Sequence, residues 1–262
     1  MTPPNSPLRA GDFSTLADDY ARYRPGYAPA IVTRIASLVG KPFPEIEAAD
    51  VGAGTGIWSR QLASVTNQVI AVEPNAAMRR RGQETSAGLR VDFREGRGEA
   101  TGLATCSVDL VTMASSFHWV DFENGLAEFA RILRPNGRFV ALWNPRVVDA
   151  NPLFRRIEDH ITTLKPNLTR VSSGTTAFTE TLTERLGRHK DFDDVVYIED
   201  FHVEQQSRER YLGLWNSVND VRVQLGPELW AKFMDFVAEA TAGHDGFDVT
   251  YRTRAWAARR RA

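Results

Sequence analysis

Apolar positions along the chain keep two periods, one helical and one of strict alternation, and the way these take turns lays out the fold. After Met1 to Asp12, a stretch rich in Pro, Ser and Gly that reads as a loose arm, Phe13, Leu16, Ala17 and Tyr20 stand at helical spacing. Pro25 and Pro29 interrupt that short helix, and Ile31, Val32, Ile35, Leu38 and Val39 form the stripe of a second helix ending at Gly40. Strand and helix patterns then alternate. Ile46 to Val51 predicts a strand, Ile57 to Val65 a helix with Trp58, Leu62 and Val65 inward, and Gln68 to Val72 a strand. Ala76 to Glu84 predicts a helix, Leu89 to Arg94 a weak strand and Val108 to Ala114 a strong one. Phe122, Leu126, Phe129, Ala130 and Leu133 mark the next helix, Pro135 to Gly137 a turn, and Arg138 to Trp143 another buried strand. Such alternation is the signature of an α/β fold, a mostly parallel sheet with helices on both faces.

Beyond Asn144 and Pro145 the rhythm changes. Phe154, Ile157, Ile161 and Leu164 predict a helix, Pro166 to Gly174 a loop, and Thr179 to Leu186 a short helix before the strand Val195 to Val203. Residues 145–194 therefore read as a helical cap inserted into a core formed by 1–144 and 195–262, the core carrying an N-terminal lid. Two more helices follow, one bearing Leu212, Trp215 and Val218, the other Leu229, Phe233, Phe236, Val237 and Ala240. The last strand runs Phe247 to Trp256, alternating Phe247, Val249 and Tyr251 with Asp248, Thr250 and Arg252, and Arg259 to Arg261 reads as a solvated tail.

Composition narrows the function. Thirty-two basic residues against thirty-three acidic ones give a net charge of -1, so no global field favours nucleic acid or an anionic membrane surface. A small-molecule partner is expected. The single cysteine, Cys106, and the lack of an apolar leader point to a reducing, cytoplasmic setting. No apolar run approaches the roughly 20 residues that span a bilayer. His160, His189, His202 and His244 lack metal-ligand spacing, so no metal is expected. The pattern leaves the oligomeric state open.

Asp50, Val51, Gly52, Ala53, Gly54, Thr55 and Gly56 lie between a predicted strand and a predicted helix, where a sheet opens its ligand crevice. Glycines there let the backbone turn tightly and approach a ligand, with helix N–H groups just beyond. The dinucleotide fingerprint needs a third glycine where this chain has Ile57, and a P-loop needs Lys and then Ser or Thr where it has Ile57 and Trp58. Both are disfavoured. Asp50, ahead of the first glycine, suits a cationic ligand without phosphate, and S-adenosylmethionine is one. Glu73, followed by Pro74, ends the second strand about 20 residues beyond Gly52, the spacing at which a carboxylate reaches ribose hydroxyls.

With the run Ser107 to Val111 and the turn Leu133 to Gly137, these residues resemble the class I methyltransferases, most nearly the type 11 small-molecule group that includes trans-aconitate methyltransferase-like enzymes. The resemblance covers about Phe13 to Trp143. It implies a Rossmann-like, seven-stranded sheet with its last strand antiparallel. It also implies that Tyr20, Tyr23 and Arg24 form a lid over the cofactor, that Gly98 and Glu99 lie by the adenine, and that Met78, Ala114 and Ser115 complete the cofactor site.

Methyl transfer from a sulfonium is an in-line displacement, in which a protein aligns the nucleophile, excludes water and, where needed, removes a proton. His118, just after the fourth strand, is the candidate base. Trp119, Trp143, Asn144, Arg146, Trp215 and Asn216 are candidate substrate contacts. The expected activity is methylation of a small metabolite on O, N or C. A cofactor-binding or regulatory protein without chemistry is the alternative. Nucleic-acid methylation is weaker, since Ser115 to Trp119 stands where an Asn or Asp with Pro-Pro-aromatic would grip a flipped base.

Overall fold

The computed structural model describes residues 14–170 and 177–262; the arm Met1 to Asp12, Phe13 and the stretch 171–176, which takes in the end of the expected loop, lie outside them. Two short helices, α1 (Ala17–Tyr23) and α2 (Pro29–Ser37), precede β1 (Glu47–Val51). Then come α3 (Ile57–Leu62), β2 (Gln68–Val72), α4 (Ala76–Thr85), β3 (Val91–Arg94), β4 (Val108–Ala114), α5 (Phe122–Ile132) and β5 (Leu133–Trp143). The remainder is α6 (Pro152–Leu164), α7 (Ala177–Glu180), α8 (Leu182–Arg188), β6 (Phe192–Ser207), α9 (Arg208–Asn216), α10 (Asn219–Ala240) and β7 (Gly246–Arg260).

The seven strands form one sheet in the order β3-β2-β1-β4-β5-β7-β6, parallel from β3 through β5, with β7 antiparallel to both its neighbours. Strict alternation explains the layering. Phe139, Ala141 and Trp143 of β5 face one apolar cluster with α5 and α8, while Val140 and Leu142 face another with α2 and α3. Buried aliphatic and aromatic side chains on both faces are what a parallel sheet requires. A third cluster gathers Phe154, Ile157 and Ile161 of α6, Tyr211 and Trp215 of α9, Phe233 and Val237 of α10, and Phe247, Val249 and Tyr251 of β7. The segment 145–194 thus divides: α6 stacks with α9 and α10 over the first half of β7, whereas Leu182 and Leu186 of α8 join the core beneath the sheet.

Four boundaries differ from the sequence reading. The expected turn at 135–137 is absorbed into β5 as an irregularity opposite Val108 and Leu110, with Asn136 left-handed at φ 64°. β6 is longer than its apolar run because it pairs with β7 along nearly its whole length. Arg259 and Arg260 belong to β7 rather than to a solvated tail: Arg259 pairs with Asp193 at 2.9 Å, and Arg260 donates to the Leu133 carbonyl at 2.5 Å. An acid on the neighbouring strand and the Leu133 carbonyl of β5 hold these cations against the sheet. α10 also begins ahead of the expected helix, with a break at Gly226 (φ 71°) before Pro227. No helix of the described residues is long and apolar enough to cross a membrane.

Candidate active site

The parallel strands end along one edge, so the chain that follows each of them meets its neighbours there in sheet order. Gly52, first residue after β1, has φ 69°, and a Cβ on it would fall 2.7 Å from the Cβ of Ser116 beyond β4. Only glycine permits that approach. The N–H groups of Gly52 and Ala53 donate to the Val72 carbonyl at 2.8 and 3.1 Å, closing the loop onto the end of β2. One residue on, Glu73 receives the Gly54 N–H on Oε2 and the Asn75 N–H on Oε1, both at 2.8 Å. Burial raises its carboxyl above the ordinary range, and these two amides pull it partly back. Each oxygen keeps a lone pair for a ligand.

Glycine loop and glutamate open into a cavity of about 950 Å³. Its wall runs from Gly98 and Glu99, after β3, past Pro74 and Met78 to Gly52, Ala53 and Gly54, then to Ala114, Ser115 and Trp119 after β4, and on to Asn144 and Arg146 after β5. Tyr20 and Arg24 lie across it, the guanidinium 4.9 Å from the Tyr20 ring and donating to the Ser217 carbonyl at 2.8 Å. Residues 26–28 are tied down on every side. Gly26 N–H donates to Glu204 and its carbonyl accepts from Asn144; Gln61 holds both the N–H and the carbonyl of Tyr27; Ala28 N–H donates to Thr253.

Several sequence candidates stand behind this wall. Tyr23 packs on α9, where a Cβ on Gly213 would fall 2.5 Å from its ring. Thr55 and Gly56 turn the chain into α3, and Asn216 lies on α9 away from the lining. Asp50 points to the α3 side of the sheet rather than to the cavity, because its neighbours Ala49 and Val51 in β1 occupy the opposite face. Ser59 Oγ donates to it at 2.5 Å and Thr112 Oγ1 at 3.3 Å, and burial pushes its carboxyl up to about 7. The acid anchors the first turn of α3 beneath the loop.

That burial makes a pH prediction. The folded chain keeps the Asp50 proton up to about pH 7, whereas the unfolded chain releases it near 3.8. The stability tied to this proton is therefore full at low pH and lost as pH rises between those values. Asp50→Asn, neutral throughout, is expected to stay folded and to lose less Tm than the parent between about pH 5 and pH 8, a differential on the order of 3 kcal/mol. Parallel Tm profiles for the two proteins would exclude a buried, titrating Asp50.

His118 also lies outside the lining. Its Nδ1 is 3.3 Å from Nε1 of Trp143, an indole that can only donate, so the neutral ring carries its proton on Nε2 and has no lone pair left to take one. Burial lowers its pKa to about 4, against the opposing charge of Asp220. In this arrangement His118 is an acceptor for Trp143, itself buried in the sheet core, and its remaining ring nitrogen carries a proton.

Comparison with known proteins identifies this arrangement. Residues 49–141, which hold the glycine loop, Glu73 and the ends of β4 and β5, match the family described as "Methyltransferase domain". Over that stretch the chain is similar to methyltransferase domains. An uncharacterized methyltransferase of Mycobacterium tuberculosis is 33% identical over 138 residues, 51% of this chain and 52% of that protein. One of Schizosaccharomyces pombe is 34% identical over 51% of this chain and 53% of its own length. The chain thus spans about half the length of the curated relatives it matches. A structure described as a type II methyltransferase from Anaeromyxobacter dehalogenans superposes over 90% of this chain and 98% of that one, at 24% identity and a TM-score of 0.68, a likeness of fold.

Outside residues 49–141, further side chains close the far end of the cavity. Arg146 is buried against Trp215 (4.4 Å to the ring centroid), donates to the Tyr211 hydroxyl at 3.2 Å and pairs with Glu158 of α6 at 3.1 Å. Trp215 itself is fully buried and supports Arg146 from behind. Glu158 also accepts from Arg170 at 2.8 Å, and Arg170 reaches Asp220 of α10 at 3.6 Å. Glu158, Arg170, Asp220 and Tyr27 line the cavity and were absent from the sequence reading. Tyr27 had a local signal, since it directly follows Arg24, Pro25 and Gly26. Glu158, Arg170 and Asp220 had none, because helical spacing reveals only apolar faces and a loop shows no periodicity at all. Among the described residues no cluster of His, Cys, Asp and Glu fits a metal ion.

Proposed function

We propose that the chain is an S-adenosylmethionine-dependent methyltransferase acting on a small-molecule acceptor held between the strand ends and the cap. One observation carries the reading: a buried glutamate just after β2, held by the glycine loop's Gly54 amide and by that of Asn75, faces the same cavity as Gly52, whose missing Cβ lets the loop close onto Ser116 at the cavity wall. The groups present suit a donor with ribose, ammonium and carboxylate and no phosphate. Glu73 would accept from the ribose hydroxyls, Gly98, Glu99 and Met78 would border the adenine, and Arg24 would meet the carboxylate. The donor supplies an electrophilic methyl group; the chain's residues orient it, exclude water and present the acceptor. Asn144, Arg146 and Trp119 remain the proposed acceptor contacts, joined by Glu158, Arg170 and Asp220.

The volume favours a metabolite over a macromolecule, since a cavity of about 950 Å³ is at the upper end of small-ligand sites. Calorimetric titration with S-adenosylmethionine and S-adenosylhomocysteine tests the donor, and label transfer from methyl-labelled donor into a metabolite extract tests turnover. Binding of neither compound would overturn the reading. His118→Ala is expected to reduce turnover by no more than about tenfold, as loss of a support rather than of a base, and to leave no limb near pH 6.5 missing from the rate profile. A loss of a thousandfold would return His118 to the role of base.

A further inference from the structure

Sheet order sets a direction along the cavity. From β3 to β5 the strand ends present Glu99, then Glu73, then Gly52, then Ser115, then Asn144. On the proposed reading the adenosine half of the donor lies toward β3 and β2, and the acceptor toward β5 and the cap. The junction of donor and acceptor falls at the ends of β1 and β4. There Ser115, a residue without glycine's freedom, is held left-handed at φ 56°, its N–H donating to the Leu142 carbonyl at 2.7 Å. Such backbone costs about 1 kcal/mol or more and persists where surroundings impose it. What it gains is a side chain aimed at Tyr27: the two hydroxyls are 2.9 Å apart and both residues line the cavity.

Tyr27 is the more rigid partner. Gln61 grips its N–H and carbonyl at 2.9 Å each, and its ring meets Trp58 edge-on at 5.2 Å. Trp58, which also lines the cavity, donates its indole N–H to Thr112 at 3.0 Å, the same hydroxyl that reaches Asp50. Burial raises the phenol's pKa, so its proton stays on. Bonded to Ser115, a neutral phenol oxygen keeps a lone pair for a polarised C–H group, and the rings of Tyr27 and Trp58 offer electron-rich surface to an onium charge.

We propose that Tyr27, oriented by Ser115, is a positioning residue for the reactive end of the methyl donor, its phenol oxygen and ring meeting the sulfonium and its methyl group. This rests on the cavity being a methyl-donor site. Sulfonium donor and thioether product differ in one methyl group and its charge, so the pair should discriminate them. Tyr27→Phe keeps the ring and removes the hydroxyl; Ser115→Ala removes the orienting partner. Titrated calorimetrically, each variant is expected to lower the ratio of S-adenosylmethionine to S-adenosylhomocysteine affinity roughly three- to tenfold, with product affinity within about twofold of the parent. The double variant should lose no more than the larger single loss, and the bound resonance of a carbon-13 methyl-labelled donor should move in both single variants. A ratio unchanged within about twofold, or an unmoved methyl resonance, overturns the proposal. Failure of the parent protein to bind either compound instead overturns the donor-site reading itself.

Discussion

Glu73→Ala is expected to weaken S-adenosylmethionine binding by about a hundred- to a thousandfold while leaving a folded protein. Glu73 is 7% exposed and its carboxylate is already stripped of most of its water, so hydrogen bonds from two ribose hydroxyls would be made without much further desolvation. Bonds to a charged group are worth about 1.5–3 kcal/mol each, and two of them near the lower end of that range give a loss of that size. The Gly54 and Asn75 amides would also lose their shared acceptor, loosening the loop. Glu73→Gln separates the contributions: it keeps the volume and one acceptor oxygen, and should lose about tenfold. Calorimetry on the three proteins, with circular dichroism to verify folding, checks the order. Equal affinity in parent and Glu73→Ala would dissociate the glutamate from the ligand.

The second large effect is expected from Gly52→Val. Two costs combine at this position: left-handed backbone that a β-branched residue adopts poorly, and a Cβ placed 2.7 Å from Ser116. Ser116 cannot retreat easily, since it is buried and its hydroxyl donates to the Val51 carbonyl at 3.0 Å. The turn after β4 would have to move, taking Ser115 with it. Donor binding should fall below calorimetric detection, with a drop in Tm. Gly88→Ala supplies the control, because Gly88 also has positive φ (80°) but nothing lies within 4 Å of an added Cβ. It should cost about 1 kcal/mol of stability and nothing in affinity. If both variants lose affinity alike, generic destabilisation rather than the loop's close approach is responsible.

These two residues were legible in the sequence because their geometry is local. Strand, loop and helix are consecutive, so Gly52 and Glu73 could be assigned to the crevice by counting. What escaped required contacts between distant segments. Asp50 carries the same acidic group whether it faces a ligand or α3, and only the register of β1 decides. His118 stands beside the crevice in sequence, yet Trp143, 25 residues on, fixes its tautomer. Arg259 and Arg260 have the composition of a tail, and the length of β6 draws them into the sheet. Glu158, Arg170 and Asp220 come together through cap packing, whose order in space is not periodic in the chain.

The tethering of residues 26–28 bears on how ligands come and go. Bonds from α3, β6, β7 and the residue after β5 converge on three consecutive residues, so this part of the N-terminal segment should exchange its amide protons about as slowly as the sheet. A crossing bar so fastened is a poor door. Traffic would then fall to the rim where Trp119 and Phe201, both lining the cavity and 42% and 53% exposed, border the opening. Threshold residues of that kind control residence times rather than equilibrium affinity. Bulk or charge introduced at Phe201 would be felt first in the rate at which product leaves.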